Sequence, residues 1–171
     1  DRQGVLHNPA LAGVQKKAVI GASYRSQWSS PNGAPKTATI FGSFALPDQN
    51  IGLGGYLYND KTGPTSRTGL QLAFAKHIKM QNEGIFSLGI ETRFQQMSLD
   101  KSKLSASLAS DPAIAGSEND FNFDAGFGIS YTGKKLQIGA SVSQLIQSKL
   151  NFYQGDLSRS EEGRLYRHYY L

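Results

Sequence analysis

Phe121-Asn122-Phe123-Asp124-Ala125-Gly126-Phe127-Gly128-Ile129-Ser130-Tyr131-Thr132 is the stretch that decides the fold. Phe, Phe, Ala, Phe, Ile and Tyr occupy its odd positions, and Asn, Asp, Gly, Gly, Ser and Thr its even ones. A period of two puts these sets on opposite faces of a β-strand, because successive Cβ atoms point to opposite sides of a sheet. A helix would spread both sets around its circumference.

Working outward, six more runs share the pattern, with turn residues between them. Residues 18–30 set Ile20, Ala22, Tyr24 and Trp28 against Gly21, Ser23, Arg25 and Gln27. Residues 36–46 set Ala38, Ile40, Phe44 and Leu46 against Thr37, Thr39, Phe41 and Ser43, and 51–58 set Ile51, Leu53 and Leu57 against Gly52, Gly54, Tyr56 and Tyr58. Residues 68–78 oppose Leu70, Leu72, Phe74 and Ile78 to Gly69, Gln71, Ala73, Ala75 and His77. Residues 84–99 oppose Phe86, Leu88, Ile90 and Phe94 to Ser87, Gly89, Glu91, Arg93 and Gln95. Residues 136–143 oppose Leu136, Ile138, Ala140 and Val142 to Gln137, Gly139, Ser141 and Ser143.

Two architectures use such strands: a soluble barrel or sandwich with the apolar face inside, or a membrane barrel with the faces reversed. The polar face discriminates. Arg25, Glu91, Arg93 and Asp124 are its only charged residues, roughly a tenth of its positions, whereas a water-facing surface is roughly 25–35% charged. About half of the face is Gly, Ala or Ser. Small residues suit a crowded, curved interior, where the opposite wall or an inserted loop approaches closely. The fold class expected is therefore all-β, a transmembrane antiparallel up-and-down β-barrel of the outer-membrane type.

Composition agrees. The chain has 171 residues, 39% hydrophobic, with 18 Lys plus Arg, 13 Asp plus Glu and no cysteine, which makes it an ordinary globular composition in one domain rather than a disordered one. No stretch free of Asp, Glu, Lys and Arg exceeds the 13 residues of 3–15 and 136–148, whereas a membrane helix needs about 18 or more apolar residues. Residues 1–13 lack the three regions of a signal peptide, so the chain reads as mature, cytosolic or cut from something longer. Without cysteine there is neither a disulfide framework nor a thiolate metal site.

Loop lengths give an orientation, since barrels of this type have short periplasmic turns and longer exterior loops. With residues 1–17 as a periplasmic lead-in segment and 18–171 as strands and loops, the connections 31–35, 59–67, 100–120 and 147–164 face outward, and 47–50, 79–83 and 133–135 face the periplasm. Tyr24, Trp28, Tyr58, Phe121, Tyr131, Tyr166, Tyr169 and Tyr170 near strand ends match interfacial girdles. Lys76, on the apolar face near the periplasmic end, is expected to snorkel. An eighth alternating run, 167–171, breaks off after five residues, when a membrane strand needs about 9–11. The chain is thus expected to cover seven to eight strands of a larger barrel, incomplete at its C-terminus.

No catalytic constellation is visible. His7, His77 and His168 are dispersed, and metal sites need convergent ligands. Glu91 and Arg93 share a face and could bind a polar ligand in a lumen, but a structural lumen ion pair with Arg25 or Asp124 is the expectation. Gly52, Gly54 and Gly55 lack the spacing and following helix of a phosphate loop and read as strand curvature. Asn59-Asp60-Lys61-Thr62-Gly63 has one acidic side chain, too few for calcium, and reads as a turn. The net charge of +5 comes from scattered basic residues in runs of no more than two, without an aromatic platform, which argues against nucleic acid. Exterior loops far longer than chain reversal needs carry Leu104, Leu108, Ile114, Leu150, Phe152 and Tyr153; with Arg25, Glu91 and Arg93 these are the candidate partner-binding residues.

Specific motifs carry a family likeness. Asn8-Pro9-Ala10-Leu11-Ala12-Gly13, after His7, resembles the Asn-Pro-Ala-x-Ala-Gly segment before the first strand of PorP/SprF-type outer-membrane proteins of the type IX secretion and gliding systems, with Leu11 where an aromatic is usual. Tyr24-Arg25-Ser26-Gln27-Trp28 is similar to that family's Tyr-Arg-x-Gln-Trp, and Gly52-Leu53-Gly54 followed by Tyr58-Asn59-Asp60 and Gly63 to its hairpin. Ser87-Leu88-Gly89-Ile90, Gly139-Ala140-Ser141-Val142-Ser143-Gln144-Leu145 and Arg167-His168-Tyr169-Tyr170 continue the match in order. The resemblance implies a bacterial outer-membrane barrel that is not an enzyme and uses no cofactor. It would work with other type IX components and with secreted cargo bearing C-terminal sorting domains to export or anchor surface adhesins. Outer-membrane lipid is then a partner; nucleic acid and small-molecule substrates are not. A passive outer-membrane channel or hydrophobic-solute transporter is the alternative, and a soluble β-barrel binding protein a third class that the face census disfavours.

Overall fold

The computed structural model describes residues 4–28, 33–81, 83–100, 117–147, 149–150, 163–164 and 166–171. Ten strands follow two short 3-10 turns, Gly4–Leu6 and Pro9–Leu11. They are β1 (Val19–Ser26), β2 (Lys36–Leu46), β3 (Ile51–Thr62), β4 (Thr65–Lys79), β5 (Ile85–Asp100), β6 (Ser117–Thr132), β7 (Gln137–Ser143), β8 (Lys149–Leu150), β9 (Gly163–Arg164) and β10 (His168–Tyr170). Eight form one antiparallel up-and-down sheet in the order β1-β2-β3-β4-β5-β6-β7-β10, and β8 pairs with β9. Among the described residues β1 and β10 each have one neighbour, so the sheet is open. The terminal run joins it as β10, with Tyr169 opposite Val142.

Faces are reversed relative to a water-soluble sheet. Ile40, Leu57, Leu72, Phe74, Ile90, Phe127 and Ile138 project outward and are exposed, while Gln71, Ser87, Glu91, Asn122, Asp124, Ser130 and Ser141 are buried on the concave side. Neighbours in sequence show the contrast: Ile90 is 58% exposed and Glu91 3%. On β5 the apolar positions run from Phe86 to Phe94, nine residues. That is roughly 30 Å of strand, rising about 21–25 Å at a tilt of 35–45°, close to the height of a barrel's apolar band. Phe94 packs against Phe121 and Phe123 at its upper edge, with ring centroids 6.3 and 5.1 Å apart. Lys76, on the outward face, turns its ammonium to the Gln49 carbonyl at 2.8 Å, as a snorkelling side chain does.

The strands are longer than their alternation predicts at the end read as exterior. Residues 59–67, expected as a loop, instead complete β3 and β4, with Thr62 opposite Thr65 across Gly63 and Pro64. Gly63, at φ +57°, supplies the left-handed conformation this tight turn requires. Likewise β6 begins at Ser117, opposite Asp100 of β5, four residues before its alternating run. In 59–62, 65–67 and 117–120 both faces are polar, so no contrast marks these strand ends in sequence. Asp60 accepts a hydrogen bond from the Thr37 hydroxyl at 2.6 Å and Asn59 donates to Thr68 at 2.8 Å, tying the tips together.

Candidate functional site: the filled interior

The concave face is occupied by the chain's own N-terminal segment. Residues 4–13, expected to lead into β1, fold into the sheet, and the Pro9–Leu11 turn packs on β4, β5 and β6. Pro9, Ala10 and Ala12 are fully buried there. Asn8 organises the insertion. Its Oδ1 caps the turn by accepting from the Ala10 N–H at 2.9 Å, and its Nδ2 donates to the carbonyls of Ile129 at 3.0 Å and Ala140 at 3.3 Å. The Ser141 hydroxyl donates to the His7 carbonyl at 2.6 Å, and the Gly13 N–H donates to the Ser43 hydroxyl at 2.9 Å. Each such bond adds about 1 kcal/mol net, and leaving its buried partner unmade costs more.

His77 fixes the segment from β4. Its Nε2 lies 2.9 Å from the Ala12 carbonyl and its Nδ1 2.8 Å from the Ser87 hydroxyl. A carbonyl only accepts, so Nε2 carries a proton, and in the neutral ring Nδ1 accepts from Ser87. The concave glycines are the seat. A Cβ on Gly52 would run into the Ala12 carbonyl, and one on Gly89 into the Pro9–Ala10 backbone. The glycine pattern that reads as strand curvature is therefore a site of close backbone approach at Gly52 and, at Gly54, the seat of the Val5 side chain. Gly89→Val is expected to cost about 3 kcal/mol by overpacking and to release the segment. In this cysteine-free chain the check is an Ala12→Cys probe, whose thiol should react slowly in the parent and at least tenfold faster with Gly89→Val; equal rates would mean the segment is not seated there.

Toward the other end the interior holds a polar cluster. Glu91 pairs with Arg93 at 2.7 Å and accepts from Gln71 Nε2 at 2.5 Å. Register explains this: Gln71 lies opposite Arg93 on β4, and Asp124 opposite it on β6. Asp124 Oδ1 accepts from the N–H groups of Ala125 at 2.7 Å and Ile146 at 3.0 Å. Tyr56 and Tyr58 stack at 5.2 Å on the β3 wall. The ion pair expected with Arg25 or Asp124 is thus made within β5, between Glu91 and Arg93. Arg25, on the edge strand β1, hydrogen-bonds the carboxamide of Gln27 two residues on. Of the other candidate residues, Leu150 lies in β8 opposite Gly163, and Leu104, Leu108, Ile114, Phe152 and Tyr153 lie outside the described residues. The residues missed from sequence are those of the inserted segment, whose only signal was the row of small residues facing it.

An up-and-down sheet with an apolar exterior and a filled polar interior is the setting in which the comparison with known families is decisive. Residues 3–171 match the family described as type IX secretion system membrane protein PorP/SprF. The chain belongs to this family. Neither the curated proteins nor the solved structures contain a match. As a PorP/SprF protein it is a membrane component of a secretion system, and one of the motifs that resemble the family, Asn8 to Gly13, is the part of the chain that packs into the sheet.

Proposed function

We propose that this PorP/SprF protein resides in the bacterial outer membrane and acts in export or surface anchoring of secreted proteins by protein–protein contact. Other type IX components and cargo with C-terminal sorting domains are its partners. The observation that carries this reading is the occupied interior. Residues 4–13 and the Glu91–Arg93–Gln71 cluster take up the concave face, where a diffusion channel needs a water-filled path. Residues 1–171 are read as one barrel domain with β3–β6 tips and the 101–116 and 151–162 connections on the exterior. These loops hold the exported partner, with Leu104, Leu108, Ile114, Leu150, Phe152 and Tyr153 as apolar contacts among basic residues and Arg25, Glu91 and Arg93 supporting them from the barrel.

Deletion of residues 102–116 tests the proposal in cells. The barrel is expected to assemble and the cargo to be shed into the medium, at least tenfold more than in the parent. Retained cargo together with new leakage of small solutes would show that the loop is a plug and overturn the docking role in favour of a channel.

A further inference from the structure

A cavity of about 70 Å³ lies above the Glu91–Arg93 pair, lined by Tyr56, Tyr58, Gln71, Arg93, Asp124 and Gln144 among others. Three of these keep a buried polar atom with no hydrogen-bond partner among the described residues: Arg93 Nε, Asp124 Oδ2 and Gln144 Oε1. Asp124 is 5% exposed. Two of the three are otherwise held in place, Arg93 by Glu91 and Asp124 by two backbone N–H groups. Gln144 adopts φ +59°, a left-handed conformation that is strained for a non-glycine residue and that persists where the surroundings impose it, often at binding sites.

We propose that this cavity binds a primary carboxamide, offered either by a small free amide or by an Asn or Gln side chain of a partner protein. One unmade donor and two unmade acceptors match that group: its carbonyl accepts from Arg93, and its NH₂ has two protons, for Asp124 and Gln144. Water offers the same complement and is the competitor; other organic groups fit less well. A carboxylate or phosphate has no proton for Asp124, an ammonium has no acceptor for Arg93, and a lone hydroxyl has one proton for two acceptors. The lining contributes one positive and one negative charge, so an ion of either sign meets a like charge. Size excludes larger ligands, because drug-sized sites occupy roughly 300–1,000 Å³. The planar amide also suits the stacked Tyr56 and Tyr58 wall.

Saturation-transfer NMR on the full-length protein, refolded in an alkyl maltoside, tests the assignment with acetamide, acetate and methylammonium as probes. Acetamide is expected to give a signal at least tenfold above the other two. Asp124→Asn, which keeps the Oδ1 acceptor but places NH₂ at the second position, should reduce it at least tenfold. Arg93→Lys, which keeps the charge opposite Glu91 but removes the Nε donor, is the second variant should the first fail to refold. Equal signals from the three probes, an acetamide signal unchanged in the variants, or none at all, as for a cavity holding water only, would overturn the proposal. Stronger binding of Gly-Asn-Gly than of acetamide assigns the site to a partner's side chain, and the reverse order to a free amide. Because the probes act on the protein alone, the result is independent of whether cargo docking is correct.

Discussion

Glu91→Ala is expected to lower stability by about 3 kcal/mol, the lower end of what removing one partner of a buried ion pair costs. The carboxylate is almost wholly enclosed and serves two donors, Arg93 at 2.7 Å and Gln71 at 2.5 Å. Its loss leaves a guanidinium and an amide without the acceptor that both use. The cost stays at the lower end because the Arg93 side chain is 26% exposed and retains some hydration. Glu91→Gln, which keeps the size and one acceptor, should lose about half as much. Urea titration of the protein folded into lipid vesicles measures both; an unchanged midpoint for Glu91→Ala would mean that water already solvates the pair.

One residue away the opposite chemistry applies. Ile90 faces outward at the middle of the apolar band, between Phe74 and Phe127 in register. Ile90→Arg is expected to cost about 2–4 kcal/mol, the range for a basic residue at the lipid midplane, where the backbone-bound charge cannot reach water. Gln96→Arg, on the same face but beyond Phe94, should cost less than about 1 kcal/mol, since position and not charge alone sets the penalty. The same vesicle titration compares the two. Equal effects would place Ile90 in an aqueous rather than a lipid environment.

The strands were readable because membrane and interior impose opposite demands on alternate residues, and β2 coincides with the alternating run 36–46 from end to end. Where the demand disappears, so does the signal. Asn59 to Thr62 and Ser117 to Asp120 are polar on both faces, and they read as loops although the ladder continues through them. The Glu91–Arg93 partnership follows from two charges on one face of one strand, but the choice between Arg25, Asp124 and each other needed the register of β4, β5 and β6. The fate of Asn8 to Gly13 was hidden for a different reason. A short irregular segment has no period, and its destination is written in other strands, as the Gly residues at 52, 54, 89 and 128 that a side chain would have filled.

Sequence separation gives the inserted segment an unusual place in assembly. The carbonyls that Asn8 binds belong to Ile129 and Ala140, 121 and 132 residues later in the chain, and the hydroxyl that meets His7 is 134 residues away. No contact of that range can form until β6 and β7 have paired, and closing loops of this length is among the slow events in folding. The N-terminal segment therefore waits, unseated, while the sheet is built. Its arrival marks that the sixth and seventh strands are in register, because a slip by one residue would turn Gly128 and Ser141 outward and present side chains to Asn8 instead.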